Sequence, residues 1–302
     1  MGRFYVVRDA GLAAWCDAWN DGGRLLPLAP RDLLHERATL DLVERFAAGP
    51  RERPTAVGAL RRHFAFRQET RLALDIYVRP EARGKGLGGS LLEHLLARAR
   101  ALGVSVVRAY APQGDRGWDA LAARHSLRTV EIDRFLLLNV DHATIAADPR
   151  IAVHSLASER DGSEQEAWRL DQEIHAGLAT SASYVPEAFA AWRARVLEAP
   201  GTSPASVLVT RSREGALAGI CVLRVCAARP STIYHVLTGV APSRRGEGHG
   251  YALKLAAIRL ARDLAATRLV ADTSPANAPM LKLNERLGYE AVIDVRNLEG
   301  TP

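Results

Sequence analysis

Cysteine is scarce in this chain. Three occur among 302 residues, Cys16, Cys221 and Cys226, an odd and sparse set without the spacing of a metal site. No metal is expected, and Cys221 and Cys226, within the apolar run GICVLRVCA, read as buried strand residues. Nowhere does an apolar run approach the roughly 18 residues of a membrane span. The opening MGRFYVVRDA offers no apolar signal region behind its positive charge. A reducing cytoplasm and no membrane partner are the expectation. Runs of one charge are missing too. The formal net charge is +6, but arginines alternate with Asp and Glu. That favours an anionic ligand weakly and argues against nucleic acid, which leaves a basic stripe. No signature of disorder is present either, since 48% of residues are hydrophobic and 25% charged. The length suits two domains of about 150 residues each.

What the chain does contain is a repeat. Arg245 stands 162 residues after Arg83, and the same shift lays Val240 on Val78 and Pro242 on Pro80. It also lays Gly246, Gly248 and Gly250 on Gly84, Gly86 and Gly88. The seam is expected in NVDHATIAADPR (139–150), which separates units at 1–142 and 150–302. Each copy reads as α+β. In the first, RFYVV is a short strand, AGLAAWCDAWN and APRDLLHERATL are helical, and LDLVERFAA, TAVGALRRHFAF and RLALDIYVRP are strands. A helix follows in which Leu87, Leu91, Leu92, Leu95, Leu96, Ala99 and Leu102 recur at helical spacing, then the strand VSVVRAYAP. A short helix and a strand near TVEIDRFLLLNV close the copy. The second repeats the order. EQEAWRLDQEIHAG and PEAFAAWRARVLEA are helical, and ASVLVTRS, ALAGICVLRVCA and TIYHVLTGVAP are strands. A helix from His249 to about Leu264 precedes RLVADTSP, APMLKLNERLG and YEAVIDVRN.

Between the long helix of each copy and the last strand before it lies Arg-Gly-x-Gly-x-Gly. The first turn of a helix leaves four amides unpaired, and the helix dipole adds partial positive charge there. Glycines let an anion approach that backbone, so each turn reads as a pyrophosphate cradle. A P-loop is excluded, because Gly-Lys-Ser/Thr is absent from both turns. A dinucleotide fingerprint fits poorly. Tyr251 replaces the third glycine in the second copy, and Arg108 and Tyr110 stand where the next strand of the first needs an acid.

Val78-Arg-Pro-Glu-Ala-Arg83-Gly-Lys-Gly-Leu-Gly88 and Val240-Ala-Pro-Ser-Arg-Arg245-Gly-Glu-Gly-His-Gly250 resemble motif A of the GNAT N-acetyltransferase superfamily. Asn277-Ala-Pro-Met280-Leu-Lys-Leu-Asn284-Glu-Arg-Leu-Gly288-Tyr289 resembles the motif that follows it. The chain thus resembles a tandem GNAT. The resemblance implies two folds, each a mostly antiparallel central sheet flanked by helices, with acetyl-CoA as the coenzyme. Its pyrophosphate is expected at Arg83, Gly84, Lys85, Gly86, Leu87 and Gly88, and at Arg245, Gly246, Glu247, Gly248, His249 and Gly250. Its arm is expected along the backbone of Ile76, Tyr77 and Val78 and of Thr238, Gly239 and Val240, between two splayed strands, with Asn277 also on the coenzyme side.

The chain departs from the family at the position that usually holds a tyrosine general acid, which is Asn284 in the second copy and Ala122 in the first. Asn284 donates no proton as an acid but is able to hydrogen-bond the sulfur. Candidate bases are Glu173, His175, His235 and Tyr234, with Asp75 on the equivalent strand of the first copy. Tyr289 reads as the aromatic of the Leu-Gly-aromatic turn. At the shift of 162, His125-Ser126-Leu127 stands where the second copy has Leu287-Gly288-Tyr289, so only the C-terminal copy is expected to be catalytic. The expected reaction is acetyl transfer to the primary amine of a small molecule by a monomer or homodimer. A protein or peptide acceptor, or a non-catalytic acyl-CoA sensor, is the alternative.

Overall fold

The structure, a computed structural model, describes residues 4–62, 70–143, 150–178 and 184–302. Parts of the expected third strand and of the expected seam (63–66 and 144–149) lie outside the described residues. The chain divides into one compact unit of Met1–Asp133, Ser181–Val185 and Asp294–Pro302 and a second of Arg134–Thr180 and Pro186–Ile293.

In the first unit β1 (Tyr5–Val6), β2 (Val43–Ala48), β3 (Ala56–Arg61) and β4 (Arg71–Val78) pair antiparallel in sequence order. Two helices, α1 (Leu12–Asn20) and α2 (Pro30–Thr39), precede β2. The glycine turn leads into α3 (Leu87–Ala101), which buries its leucine stripe at 91, 92, 95 and 96. β5 (Val106–Pro112) then pairs parallel with β4, and α4 (Arg116–Arg124) follows. The next strand, β6 (Arg128–Asn139), leaves this unit at Asp133. The antiparallel partner of β5 is supplied from the far end of the chain, where Val295–Gly300 pair with Pro112–Val107.

The second unit repeats the plan. β7 (His154–Ser155), α5 (Ser163–Ala176) and α6 (Phe189–Val196) precede the antiparallel β8 (Val207–Arg211), β9 (Leu217–Val225) and β10 (Thr232–Val240). Then come α7 (His249–Asp263), the parallel β11 (Arg268–Thr273), α8 (Ala278–Arg286) and β12 (Glu290–Gly300). The antiparallel partner of β11 is the Arg134–Asn139 half of β6. At their ends the compact units therefore differ from the stretches 1–142 and 150–302. Strand pairing follows edge hydrogen bonding, and it assigns β6 and β12 by register rather than by chain proximity.

One helix is shorter than its periodicity implies. α6 starts at Phe189, not at Pro186, because Ala188 before it is extended. The Glu187 amide donates to Gln172 Oε1 at 2.9 Å, and its carboxylate is bound by the Arg195 guanidinium. All three cysteines are free and buried. Among the described residues no helix is long and apolar enough to cross a membrane.

Candidate active site

In the second unit β10 and β11 pair only from Thr232–Tyr234 against Arg268–Val270. Beyond Tyr234, β10 continues on β9 alone as far as Val240. A register shift between His235 and Leu237 marks a bulge at Val236, and a bulge adds twist and bends its strand. The two parallel strands therefore open as a fork, and the β10 edge at Thr238–Val240 is free of the β11 ladder. Gly239 closes one face of that edge tightly, since an added Cβ would fall 2.6 Å from Ile174 of α5.

At the outer end of the fork the chain turns through Gly246 and Gly248, with φ of +84° and +98°. Side chains other than glycine rarely adopt that conformation. Gly248 sits at the N-cap of α7 and offers no side chain to the helix amides. Among the described residues the amides of Arg245–Gly250 donate to no backbone carbonyl. Six donors at a helix N-terminus form an anion cradle. His249 shapes the turn from below: it is buried, with Nδ1 3.0 Å from Thr210 Oγ1 and Nε2 3.4 Å from Glu247. Asn277 caps α8, accepting from the Met280 amide at 3.3 Å. Asn284 is fully buried and neither atom of its amide has a partner. An unpaired donor and acceptor at that position suit a ligand atom arriving there.

The four catalytic candidates fall on two faces of the sheet. Glu173 is exposed at the end of α5, and His175 is turned back on its own helix, with Nδ1 2.9 Å from the Asp171 carbonyl and 3.5 Å from its carboxylate. Burial pushes the Asp171 carboxyl up, opposed by His175 and Arg195. His235 lies on the opposite face, under α7. It is buried at the inner end of the fork, Nε2 2.8 Å from the Tyr289 hydroxyl and Nδ1 3.3 Å from Thr238 Oγ1 and 3.4 Å from Cys221 Sγ. Burial holds the imidazole well below its ordinary range and the Tyr289 phenol well above its own. Both are thus neutral, and the phenol and Nε2 share one hydrogen bond. Tyr289 reads from sequence as an aromatic alone, but its hydroxyl ties the α8 turn to the fork. Replacing Tyr289 by Phe should cost about 1–2 kcal/mol, because it orphans a buried imidazole nitrogen. Urea denaturation measures this, and an unchanged midpoint would refute the bond's contribution.

Sequence reasoning also missed Lys254. It stands on α7 with 1% of its surface exposed, and its ammonium lies 4.9 Å from the Tyr289 ring centroid. The signal was a lysine in the inward stripe of α7 with Ala257, Ile258 and Ala261, all buried.

The first unit has the fork without this cluster. β4 and β5 pair from Arg71–Leu74 against Val106–Ala109 and then part. Gly84 and Gly86 have φ of +76° and +77°, and the amides of Gly84–Gly89 donate to no backbone carbonyl among the described residues. The β3–β4 register, however, runs on without a bulge. Arg83 folds back, its Nε 3.0 Å from the Val78 carbonyl and its guanidinium over the Tyr77 ring. Asp75 is ion-paired with Arg61 at 2.9 Å. Lys85 reaches the Glu81 carbonyl at 3.4 Å.

A strand fork that ends in an anion cradle is the layout of a group-transfer enzyme for a long, phosphate-bearing ligand. The sequence matches the acetyltransferase (GNAT) family over residues 15–116 and 167–289. It is 34% identical over 125 residues to an L-methionine sulfoximine/L-methionine sulfone acetyltransferase of Pseudomonas aeruginosa, covering 36% of this chain and 72% of that protein. Among solved structures, a tandem GNAT protein from the clavulanic acid biosynthesis pathway aligns with a TM-score of 0.78 at 18% identity. That alignment covers 100% of this chain and 98% of the other. A GCN5-related N-acetyltransferase from Sphaerobacter thermophilus aligns at 0.75 and 17% identity, over 99% and 95%. The chain belongs to the GNAT family of N-acetyltransferases, with two tandem α+β domains of that fold.

Proposed function

We propose that the second unit transfers an acetyl group from acetyl-CoA to the primary amine of a small molecule, and that the first unit is a scaffold that has lost the reaction. The observation that carries this reading is the second unit's fork, which joins six free cradle amides to a buried polar cluster at its inner end. Acetyl-CoA supplies an activated thioester. The amides of Arg245–Gly250 hold its pyrophosphate, the free edge of Thr238–Val240 orients its arm, and Asn284 offers its unpaired amide to the sulfur. The name of the Pseudomonas relative supports an amine-bearing, amino-acid-like acceptor. Three free buried cysteines suit a reducing, cytoplasmic setting.

An alkylamine with a pKa near 10 is only about one part in a thousand neutral at pH 7, a penalty of roughly 4 kcal/mol. In this reading Glu173, exposed beside the Ile174 that packs on Gly239, draws a proton from an acceptor that arrives on the α5 face. In the same reading His235, under α7 and already bonded to Tyr289, fixes the fork.

The test is thiol release from acetyl-CoA with a panel of small amines, amino acids and a lysine peptide. Turnover is expected with a small α-amino acid or its analogue. Coenzyme binding without turnover across the panel would favour an acyl-CoA sensor, and turnover with the peptide alone would favour a protein substrate.

A further inference from the structure

The second unit keeps a charged side chain where the first has none. Strand register and helix start align the two cores residue by residue. The β3–β4 pair Leu60↔Leu74 corresponds to Leu223↔His235, and the helices α3 and α7 begin one residue after Gly86 and Gly248. Lys254 thus occupies the place of Leu92, His235 that of Leu74, and Tyr289 that of Leu127. All three leucines are buried in the apolar core of the first unit. The fold accepts leucine at each place, so packing does not require the polar trio. A buried ammonium is costly unless paired. Among the described residues Lys254 forms neither an ion pair nor a side-chain hydrogen bond; the Tyr289 ring lies 4.9 Å from its ammonium, and Cys221 and Asp272 act on it only at longer range. A charge kept unpaired at the inner end of a ligand fork points to a partner that arrives with the ligand.

We propose that Lys254 is the proton donor to the coenzyme sulfur, standing in for the acid that Asn284 cannot be. The proposal rests on the reading of the second unit as the acetyltransferase. The acceptor nitrogen bonds to the acetyl carbon, the carbon–sulfur bond breaks, and sulfur leaves with the electron pair and takes a proton from Nζ. The proton shed by the acceptor nitrogen restores the ammonium through solvent, so no other reactant is needed. Burial lowers the Lys254 pKa to about 8, with Cys221 and Asp272 opposing. An alkyl thiol titrates near 8.5, so donor and acceptor are closely matched. The ionisable groups facing Lys254 are Cys221 on β9, His235 on β10, Asp272 on β11 and Tyr289 after α8. Of these, His235 and Tyr289 stay neutral, Cys221 is held as a thiol by burial, and Tyr234 donates to Asp272 at 2.5 Å.

The experiment compares the full chain with its Lys254→Met variant. Three results are expected in the variant. The thiol of bound coenzyme A, followed by thiolate absorbance in the ultraviolet, titrates at a pH at least about one unit higher. The kcat at saturating substrates falls about a hundredfold, while KM for acetyl-CoA stays within about threefold. The stability of the wild-type chain rises between about pH 8 and the ordinary lysine range, where the unfolded state alone holds the proton, and this rise is missing from the variant. Melting at pH 7 should be no lower for Met, which removes a buried charge, and Lys254→Gln serves as the second variant. Unchanged thiol titration and kcat in either folded variant, with wild-type turnover intact, would overturn the proposal alone. A wild-type chain that neither binds coenzyme A nor acetylates any amine would overturn the parent reading, and this one with it.

Discussion

Deletion of Asp294–Pro302 should unfold the unit that carries the first glycine turn. These last residues supply the antiparallel partner of β5, in register from Val295↔Pro112 to Gly300↔Val107. Leu298 is buried in that unit's apolar core. Glu299 is the shared carboxylate of two arginines: it accepts from Arg108 at 2.6 and 2.9 Å and from Arg71 at 2.9 Å. Arg108 is 5% exposed, and its other acid, Glu131, stands at 3.4 Å. Asn297, also buried, donates to Asp133 at 2.8 Å, and burial pushes that carboxyl up against the opposing pull of Asn297 and Arg108. Losing one partner of a buried ion pair costs about 3–5 kcal/mol, and losing the burial of one leucine about 2 kcal/mol. Their sum rivals the 5–15 kcal/mol by which a domain is stable. Hydrogen exchange on the truncated chain is therefore expected to show β4 and β5 unprotected while β9 and β10 stay protected. A truncated chain with β5 amides as slow as in the full chain would refute the assignment of β12 to this unit. Leu298→Ala, costing about 2–4 kcal/mol, is the milder version of the test.

Those nine residues also show what the sequence concealed. The glycine turns, α3 and α7 were legible, because positive φ and a 3.6-residue apolar period are local properties written in neighbouring residues. The two fork strands were legible as runs of apolar residues ending at Val78 and Val240. The fate of β6 and β12 was not. TVEIDRFLLLNV and YEAVIDVRN announce strands, but nothing in a strand names the edge it will join when the choices are equivalent copies. The bulge at Val236 was hidden for the same reason, since it exists only against β9. Lys254 is in plain view, but its surroundings are not. In a helix whose other inward residues are apolar, one lysine reads as a side chain that reaches solvent, and only the folded chain shows that its stem is covered and its head set beside Tyr289. Asn284 reads from sequence as a missing acid, and the structure adds that its amide is wholly buried and unpaired.

The largest expected effect on catalysis is an asymmetry between two arginines that the sequence presents as equals. Arg245→Glu should lower kcat/KM for acetyl-CoA about a hundredfold, some 2.7 kcal/mol, whereas Arg83→Glu should change it less than about twofold. Both side chains begin an exposed glycine turn, and both turns present free amides. They differ in what the guanidinium does. Arg83 Nε is already spent on the Val78 carbonyl, at the end of the strand along which a coenzyme arm would lie, and its head rests over Tyr77. Arg245 instead reaches along the end of α5, 3.6 Å from where a Cβ on Gly177 would stand, and among the described residues it has no hydrogen bond to a β10 carbonyl. A carboxylate at 245 would face the pyrophosphate beside six amides that need negative charge from the ligand, and it would oppose the helix dipole's attraction for that charge. At 83 the same change frees the end of a strand in a unit whose cluster positions are Leu74, Leu92 and Leu127 and whose fork leads to no reacting group. Titrating each variant with coenzyme A separates binding from chemistry: Arg245→Glu should lose affinity by nearly the factor it loses in kcat/KM. Equal losses in the two variants would mean that the first fork works too, and the assignment of the reaction to the second unit would fall.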